Sequence, residues 1–366
     1  MNKPKSLFIV AAGSGGHILP ALVLGKQWTE IQTETAAKVY LFTSTTTLDQ
    51  NIAHNHPFVT EVIGCSLSKF SVKKWWLFPQ IIFQVITIFC KTLIKIGHHR
   101  PEKIVSTGGL LSIPVCLAAF FFRVPVELYE LNVIPGKATT ILLPFVTTVF
   151  TVFDTTKKLC RLLGKDFSKK CQKAAYPLRF SAQDKIFDLH QILREINKTI
   201  AATGQSFLPC RKTLFVIGGS QGSALLNKLV RNACMHTSIT GSQVQIIHQT
   251  GAADQKEWQT FYAQHNIAAH TFSFDPNIAR FYQIADLVIA RAGAGTLFEI
   301  EFFKKKCLVI PLVAKTTTHQ VDNAVAMEKE HPDLFTMLLE EKIKENGRLF
   351  DAKVIQMLEL QIKTAT

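Results

Sequence analysis

Short apolar runs of strand length recur along the chain, and most are followed by a glycine-rich or polar turn and a longer segment with helical character. In the first half these runs are residues 7–10, 38–42, 104–106 and 126–129. In the second half they are residues 213–217, 244–248, 269–272, 287–290 and 307–310. Continuous apolar strands are typical of parallel sheets that helices cover on both faces. The pattern therefore predicts an α/β fold made of two Rossmann-like halves.

Glycine-rich turns follow four of the predicted strands, at residues 13–16, 108–109, 218–222 and 291–295. Open parallel sheets bind ligands at the carboxyl ends of their strands, where glycine amides and a helix N-terminus can hold a phosphate. The first turn has Ile18 where a dinucleotide fingerprint needs its third glycine, and no acidic residue ends the second predicted strand. An NAD enzyme is therefore disfavoured, and a phosphate or a sugar is the expected ligand.

Two residues in the first half are candidates for proton transfer. His17 follows the first glycine turn, and a neutral imidazole can take a proton near pH 7. A histidine that makes only a structural hydrogen bond fits the same spacing equally well. Glu130 follows the strand at 126–129, together with Asn132, and is the second candidate.

Glu299 lies in the helical segment that follows the glycine turn at 291–295. A carboxylate can accept two hydrogen bonds from a vicinal diol such as a ribose, and the glycines leave space for one. The segment 296–299 also fits a capping box, in which the carboxylate would bond only to a backbone amide. The sequence leaves both interpretations open.

Length and composition suit a globular protein of two domains, since the chain has 366 residues of which 47% are hydrophobic and 19% charged. The net charge of +14 favours an anionic partner, such as nucleic acid, acidic lipid or a phosphate-bearing substrate. Eight cysteines, among them Cys90, Cys116 and Cys307, lie in apolar runs without a CxxC pair. We therefore expect reduced core cysteines in a cytosolic protein, with no disulfide and no zinc site.

The segment 67–100 has an apolar body with basic and aromatic ends, which suits a helix lying on an anionic membrane surface. The residues expected to contact the membrane are Lys69, Lys73, Lys74, Trp75, Trp76, Phe78, Lys91 and Lys95. An ordinary buried helix with solvated ends is the alternative. A membrane span is not favoured, because the uncharged stretch 75–90 is short and contains Pro79. The apolar run near the N-terminus is too short for a signal peptide.

Two other classes of function compete with a phosphate- or sugar-using enzyme. Residues 218–222 fit the G-x-S-x-G nucleophile elbow around Ser220, with Asp286 and His319 following in hydrolase order. That interpretation leaves the turns at 13–16 and 291–295 unexplained. A non-catalytic protein that binds anionic lipid or nucleic acid would account for the charge, but no nucleic-acid module is recognisable and no nucleic-acid partner is expected.

Six motifs follow one another across both halves of the chain. They are AAGSGGHILPAL at 11–22, STGGLLSIP at 106–114, ELNVIPG at 130–136, VIGGSQGS at 216–223, ARAGAGTLFEI at 290–300 and HQVDNA at 319–324. Together, and in this order, they resemble the motifs of the MurG-type glycosyltransferases. The resemblance implies two Rossmann-like domains facing a cleft, the GT-B architecture. It implies an acceptor domain at 1–175, a UDP-sugar domain at 176–335, and a C-terminal segment, 336–366, that packs back on the first domain.

The resemblance also implies the reaction. Enzymes of this family transfer N-acetylglucosamine from UDP-N-acetylglucosamine to lipid I, an undecaprenyl-diphosphate-linked muramoyl-pentapeptide, and form lipid II for peptidoglycan. They work peripherally on the cytoplasmic face of the cell's inner membrane. No D-x-D pair that could hold a divalent ion is present in the chain, so we expect no metal and no cofactor. Inversion at the anomeric carbon needs one base, for which His17 is the first candidate and Glu130 the second.

Donor-binding residues are carried over from the family's motifs. They are Ser14, Gly15, Gly16, Asn132, Arg179, Ser220, Ala294, Gly295, Thr296, Leu297, Phe298, Glu299, Gln320 and Asn323. By the resemblance, Glu299 holds the ribose, Gln320 the sugar hydroxyls, and Arg179 and Ser220 the nucleotide and diphosphate. The chain departs from the family pattern at Ser14, Leu131, Asp275, Gly295 and Phe298. These departures bear on donor specificity and not on the fold.

Overall fold

The computed structural model describes residues 4–13, 15–32, 36–54, 56–68, 76–219, 222–235, 241–253, 255–313 and 319–359. The chain forms two compact units, Met1–Arg179 and Phe180–Thr366, called unit 1 and unit 2. The boundary lies four residues after the expected one, so Arg179 ends unit 1 and does not belong to the expected donor domain.

Unit 1 contains a seven-stranded parallel sheet with the order β3-β2-β1-β4-β5-β6-β9. Its strands are β1 Lys5–Val10, β2 Ala37–Ser44, β3 Val59–Cys65, β4 Lys103–Ser106, β5 Val126–Glu130, β6 Thr148–Thr151 and β9 Cys171–Lys173, with a small hairpin of β7 Arg161–Leu162 and β8 Lys165–Asp166. Its helices are α1 Gly15–Ile31, α2 Thr47–Ala53, α3 Phe78–His99, α4 Ser112–Phe121, α5 Lys137–Leu142 and α6 Thr156–Leu159.

Helices cover both faces of the unit 1 sheet, as the apolar strands require. Leu7 and Ile9 of β1 pack with residues of α1, whereas Phe8 and Val10 pack on the other face with residues of α3 and α4. Adjacent residues of a strand point to opposite faces, so β1 must be apolar throughout. The prediction of doubly covered parallel strands is confirmed.

Unit 2 repeats this design with a six-stranded parallel sheet of order β12-β11-β10-β13-β14-β15. Its strands are β10 Lys212–Ile217, β11 Val244–Gln249, β12 Ala269–Phe272, β13 Leu287–Ala290, β14 Lys306–Val309 and β15 Phe335–Met337. Its helices are α7 Leu189–Ile200, α8 Ala224–Met235, α9 Gln255–Gln264, α10 Ala279–Ile284, α11 Ala294–Phe302, α12 His319–Glu330, α13 Glu340–Glu345 and α14 Leu349–Leu358. The strand order reverses between β10 and β13, as it does between β1 and β4, and such switch points are where these sheets bind ligands.

The C-terminal segment contributes to the core of unit 2. Phe350, Val354 and Leu358 form an apolar stripe on α14 and lie in the same core cluster as Leu214 and Val216 of β10. Helix α14 contacts α8 and β14 of unit 2. The apolar positions of the described residues 336–359 therefore complete the core of unit 2, and the packing of this segment on the first domain stays a prediction.

All eight cysteines are free thiols, and six of them are buried. Burial raises the pKa of the Cys116 thiol to about 12, so this residue behaves as a small apolar side chain. Cys90 and Cys210 are exposed. The expectation of a core position is wrong for Cys90, since it lies on the outward side of α3.

Candidate active site

The two glycine turns of unit 1 meet at the carboxyl edge of its sheet, because β1 and β4 are neighbours. Gly108 and Gly109 follow β4 with φ angles of +99° and +90°. A Cβ on Gly109 would lie 2.8 Å from the carbonyl oxygen of Ala12, so only glycine allows this approach. A Cβ on Gly108 would lie 3.4 Å from Cε1 of His17. The glycine turn after β4 therefore packs against His17, which follows the glycine turn after β1.

His17 is held by two hydrogen bonds to the residue that follows β4. Its Nδ1 lies 2.7 Å from the carbonyl oxygen of Thr107, and the Thr107 hydroxyl donates to the carbonyl oxygen of His17 at 2.8 Å. A carbonyl oxygen only accepts hydrogen bonds, so Nδ1 carries the proton in neutral His17. The lone pair is then on Nε2, which is the tautomer that a general base acting through Nε2 needs.

Asp49 also lies at the carboxyl edge of this sheet, and sequence reasoning missed it. Its Oδ2 accepts hydrogen bonds from the Gly13 amide at 2.8 Å and from the Ser44 hydroxyl at 2.6 Å. The side chain is buried and lies in the first turn of α2. The dinucleotide fingerprint places its acidic residue at the end of the second strand. Asp49 comes five residues after the end of β2, and its side chain reaches back to the glycine turn.

Glu130 is buried, with 4% of its surface exposed, and four donors surround its carboxylate. Its Oε1 accepts from the amide and the side chain of Asn132, at 3.0 and 3.3 Å. Its Oε2 accepts from the Gly136 amide at 2.9 Å and the Thr139 hydroxyl at 2.5 Å. Both oxygens therefore accept hydrogen bonds from the loop after β5 and the first turn of α5, which makes Glu130 a poor proton acceptor for a substrate.

The remaining site residues of unit 1 are placed as follows. Gly15 and Gly16 begin α1, and the first amides of a helix have no partner within it. Asn132 is fixed through Glu130 and through its carbonyl oxygen, to which the Thr156 hydroxyl donates at 3.0 Å. Arg179 is partly exposed at the end of the unit. Ser14 lies outside the described residues, as does Ser220 of unit 2.

In unit 2, helix α11 begins directly after the turn that follows β13. Its N-cap is Gly293, without a side-chain hydrogen bond to the cap, and Thr296 lies inside the helix. The capping-box interpretation of 296–299 is therefore wrong. The amides of Ala294, Gly295 and Thr296 belong to the first turn, where no intrahelical partner exists. Leu297 is fully buried and its amide donates to the Gly293 carbonyl, so it supports the helix.

Glu299 stands one turn further along α11 and is partly exposed, as is its neighbour Phe298. Its Oε2 accepts a hydrogen bond from the hydroxyl of Tyr282 at 3.0 Å. The glutamate is thus held by a side chain of α10 while it remains accessible at the edge of the sheet. This placement agrees with a ligand-binding carboxylate.

Gln320 and Asn323 join the turns that follow β13 and β14. The Gln320 Oε1 accepts from the amides of Ala292 at 3.2 Å and Leu312 at 2.9 Å. The side-chain amide of Asn323 donates to the carbonyl oxygen of Ala292 at 3.3 Å, and the residue is buried. The oxygen of Gln320 is therefore occupied, so its NH₂ group is what it can offer a ligand, whereas Asn323 supports the turn.

Arg291 is a second residue that sequence reasoning missed. Its guanidinium donates to the Ser223 hydroxyl at 2.9 Å, the Ile310 carbonyl at 3.0 Å and the Glu340 carboxylate at 2.7 Å. It ties together the segments that follow β10, β13 and β14. Glu340 is 49 positions away along the chain, a separation at which no sequence pattern indicates a pair.

Two of the departures from the family pattern have local structural roles. Leu131 is buried. Asp275 accepts hydrogen bonds from the Asn277 amide at 2.7 Å and from Arg280 at 2.8 Å. Neither side chain is available to contact a ligand without breaking these arrangements.

In the hydrolase interpretation, Asp286 lies at the opposite end of β10 from Gly218, where the glycine turn begins, and Ser220 is outside the described residues. The Asp286 carboxylate accepts from the Thr213 amide at 2.7 Å, at the amino end of β10. Residue 220 follows the carboxyl end of the same strand. The four residue steps from Thr213 to Ile217, at about 3.3 Å each, separate the Asp286 contact from the carboxyl end of β10 by roughly 13 Å, which an aspartate side chain does not span.

Comparison with known families covers both units. Residues 7–151 match the glycosyltransferase family 28 N-terminal domain, and residues 213–352 match the glycosyltransferase family 28 C-terminal domain. The chain belongs to glycosyltransferase family 28. It is a glycosyltransferase, and the predicted resemblance to MurG-type enzymes is confirmed.

Several curated relatives share one name, UDP-N-acetylglucosamine--N-acetylmuramyl-(pentapeptide) pyrophosphoryl-undecaprenol N-acetylglucosamine transferase. The protein of Protochlamydia amoebophila is 29% identical over 321 residues, which cover 87% of this chain and 79% of the relative. The protein of Pelagibacter ubique is 26% identical over 323 residues, covering 87% and 81%. The protein of Trichlorobacter lovleyi is 27% identical, covering 93% and 87%.

Solved structures show the same fold. Acinetobacter baumannii MurG aligns with a TM-score of 0.68 at 19% identity, covering 97% of this chain and 92% of that one. A UDP-GlcNAc 2-epimerase from Neisseria meningitidis, bound to UDP-GlcNAc, aligns with a TM-score of 0.58 at 11% identity, covering 97% and 99%. The predicted class of two Rossmann-like domains is confirmed.

Proposed function

We propose that this glycosyltransferase transfers N-acetylglucosamine from UDP-N-acetylglucosamine to lipid I and forms lipid II for peptidoglycan synthesis. The observation that supports it most is the shared name of the eight curated relatives considered, each aligned over at least 87% of this chain. Two features at the carboxyl edges of the sheets support it, the hydrogen-bonded His17 in unit 1 and the partly exposed Glu299 in unit 2.

Donor binding is assigned mainly to unit 2. Glu299 accepts hydrogen bonds from the ribose hydroxyls, and the first amides of α11 face the diphosphate. The NH₂ group of Gln320 donates to hydroxyls of the sugar. Asn132, Arg179 and Ser220 contribute to the nucleotide and diphosphate, as do the residues of the first glycine turn.

Proton transfer is assigned to His17. An acceptor hydroxyl attacks the anomeric carbon opposite the UDP group, and Nε2 of His17 takes its proton while Thr107 holds the Nδ1–H. The C–O bond to UDP breaks, and the negative charge on the diphosphate is stabilised by backbone amides and Arg179. Glu130, the second candidate for the base, is assigned to the support of the loop that carries Asn132.

The direct test incubates purified protein with UDP-N-acetylglucosamine and a lipid I analogue, and analyses the product by mass spectrometry and NMR. The proposal predicts one β-linked disaccharide and one UDP per turnover. Transfer that requires a different nucleotide-sugar, or hydrolysis of an ester without sugar transfer, would contradict it.

We further propose that unit 1 docks peripherally on the cytoplasmic face of an anionic membrane. Among the described residues, α3 is the one helix long and apolar enough to span a bilayer. One stripe of α3, which includes Ile88 and Ile96, is buried in unit 1, whereas Phe83 on another side is 70% exposed. Because one side of α3 is packed on the core of unit 1, this helix is better suited to lie on a membrane surface than to span the membrane.

The exposed apolar face extends beyond α3. Its members are Trp76, Phe78, Ile82, Phe83, Ile86, Ile94, Phe120, Phe121 and Phe122. Phe121 of α4 and Phe89 of α3 pack edge to face, with ring centroids 5.6 Å apart, so the two helices form one surface. Lys95 is paired with Glu61 at 2.7 Å, which reduces its expected contribution to lipid attraction. The expected contacts at Lys69, Lys73, Lys74 and Trp75 lie outside the described residues.

Vesicle co-sedimentation with matched variants tests this docking. Phe83→Ser should reduce binding to vesicles that contain anionic lipid, because Phe83 projects from α3. Ile31→Ser is the control, since Ile31 is 73% exposed but ends α1 on the opposite face of the sheet. Equal sedimentation of the two variants would refute the assigned face, and binding that high salt leaves unchanged would favour a span.

A further inference from the structure

Tyr282 is the residue that holds Glu299, and nothing described so far assigns it a function. It lies in α10 and is fully buried. Its hydroxyl is the one polar atom of the side chain and donates to Oε2 of Glu299 at 3.0 Å. A hydrogen bond thus links α10 to α11 across β13, and it ends on the carboxylate that we assign to the ribose.

The ring of Tyr282 is fixed by aromatic neighbours. Phe303 stacks on it, with centroids 5.2 Å apart and an interplanar angle of 13°. Phe215 packs edge to face at 5.1 Å, and Phe180 packs in the same way at 6.4 Å. Neighbours on several sides leave the ring no second position, so the hydroxyl presents one fixed point to the glutamate.

A glutamate side chain has three rotatable bonds, and the conformational entropy lost when a ligand orders them weakens binding. A carboxylate whose orientation is already set avoids that cost, which is how pre-organised sites gain affinity. The hydrogen bond from Tyr282 holds one oxygen of the Glu299 carboxylate at a fixed point.

We propose that Tyr282 is a positioning residue for the donor site, which holds the Glu299 carboxylate in the orientation that accepts the ribose hydroxyls of UDP-N-acetylglucosamine. The inference rests on the proposed function and adds a specificity determinant to it. A purely structural tie between α10 and α11 is the competing explanation, and it predicts a loss of stability without a change in ribose recognition.

Unit 2 offers a matched control in Tyr262 of α9. It is 1% exposed, and its hydroxyl lies 2.8 Å from Nδ1 of His248, a histidine buried in the core. Aromatic rings surround it as well, with Trp258 at 5.7 Å and Phe261 at 5.4 Å. Replacing either tyrosine with phenylalanine removes one buried hydroxyl and keeps the ring.

The experiment measures the dissociation constants of UDP and of 2′-deoxy-UDP by calorimetry, together with the melting temperature. The proteins are the wild type, Tyr282→Phe, Tyr262→Phe, Glu299→Gln and the double variant Tyr282→Phe/Glu299→Gln. We expect Tyr282→Phe to weaken UDP about tenfold, equivalent to about 1.4 kcal/mol, and to weaken 2′-deoxy-UDP much less. kcat at saturating donor should stay within about twofold of the wild type.

Tyr262→Phe should lower the melting temperature comparably and leave the preference for UDP over 2′-deoxy-UDP unchanged. The double variant should bind UDP as Glu299→Gln does, because Tyr282 acts through that carboxylate. If Tyr282→Phe retains the wild-type preference while Glu299→Gln loses it, the positioning role is refuted and the proposed function stands. If Glu299→Gln also retains the preference, the ribose assignment itself is wrong, and the role of Tyr282 is refuted with it.

Discussion

Glu130 and Glu299 occupy comparable places in the two units, yet their surroundings differ. Each glutamate belongs to the carboxyl edge of a parallel sheet, at the end of β5 or in the helix after β13. Glu130 is buried and accepts four hydrogen bonds from its own loop. Glu299 is partly exposed and is held by the hydroxyl of Tyr282.

The different surroundings of Glu130 and Glu299 show that a position at the edge of a sheet does not by itself make a carboxylate functional. A carboxylate surrounded by protein donors accepts hydrogen bonds from the protein itself and stabilises the fold. Removing that carboxylate leaves the donors unsatisfied. A carboxylate that is oriented but accessible can bind a ligand. We therefore expect Glu130 to contribute to stability and Glu299 to donor affinity, with His17 as the proposed base.

The largest expected effect concerns His17, because the comparison leaves it as the base. His17→Ala should lower kcat roughly 10²–10⁴-fold, the usual contribution of a general base, while UDP binding to unit 2 stays nearly intact. His56→Ala is the control, since His56 also bonds a backbone carbonyl, that of Ile52 at 2.9 Å. A kcat that His17→Ala leaves unchanged would return the role of base to Glu130.

Glu299→Gln should raise the donor KM by about 10- to 100-fold, because charged hydrogen bonds contribute about 1.5–3 kcal/mol each. The melting temperature should change little, since the variant keeps an acceptor for the Tyr282 hydroxyl. Glu301→Gln on the same helix is the control, because Glu301 pairs with Lys304 at 2.6 Å. Normal donor KM with a lower melting temperature would make Glu299 structural.

Glu130→Gln should show the opposite behaviour. An amide cannot accept from all four donors, so the free energy of unfolding should fall by about 1–3 kcal/mol while UDP affinity remains close to the wild type. Glu127→Gln on the same strand should cost about 1 kcal/mol or less, because Glu127 pairs with Lys103 at a partly exposed position. Denaturant titration measures both changes, and equal losses would undermine the distinction between the two carboxylates.

The smallest effect is expected for Asp49→Asn. An asparagine oxygen can still accept from the Gly13 amide and the Ser44 hydroxyl, so only the charge assistance is lost. We expect a fall of about 1 kcal/mol in unfolding free energy and a kcat within a few-fold of the wild type. A loss of kcat as large as that of His17→Ala would place Asp49 in the reaction.

The alternation of apolar strands and helices predicted the two sheets well, because each strand and helix is specified by residues close together in sequence. The contacts that shape the candidate site are of another kind. Asp49 reaches Gly13 across 36 positions and Tyr282 reaches Glu299 across 17, and no periodicity encodes either. Local patterns also misled, since Thr296 resembles a cap but lies inside α11, and the C-terminal stripe did not reveal which core it completes.

The division of labour between the two units is tested most directly by the initial rate of sugar transfer as a function of UDP-N-acetylglucosamine concentration, measured for Glu299→Gln and His17→Ala. A donor-binding defect disappears at saturation, whereas the loss of a base does not. We predict that Glu299→Gln approaches the wild-type kcat at high donor concentration and that His17→Ala stays at its reduced rate at every concentration. Recovery of His17→Ala at high donor concentration, or a Glu299→Gln rate that saturates far below the wild type, would contradict the account.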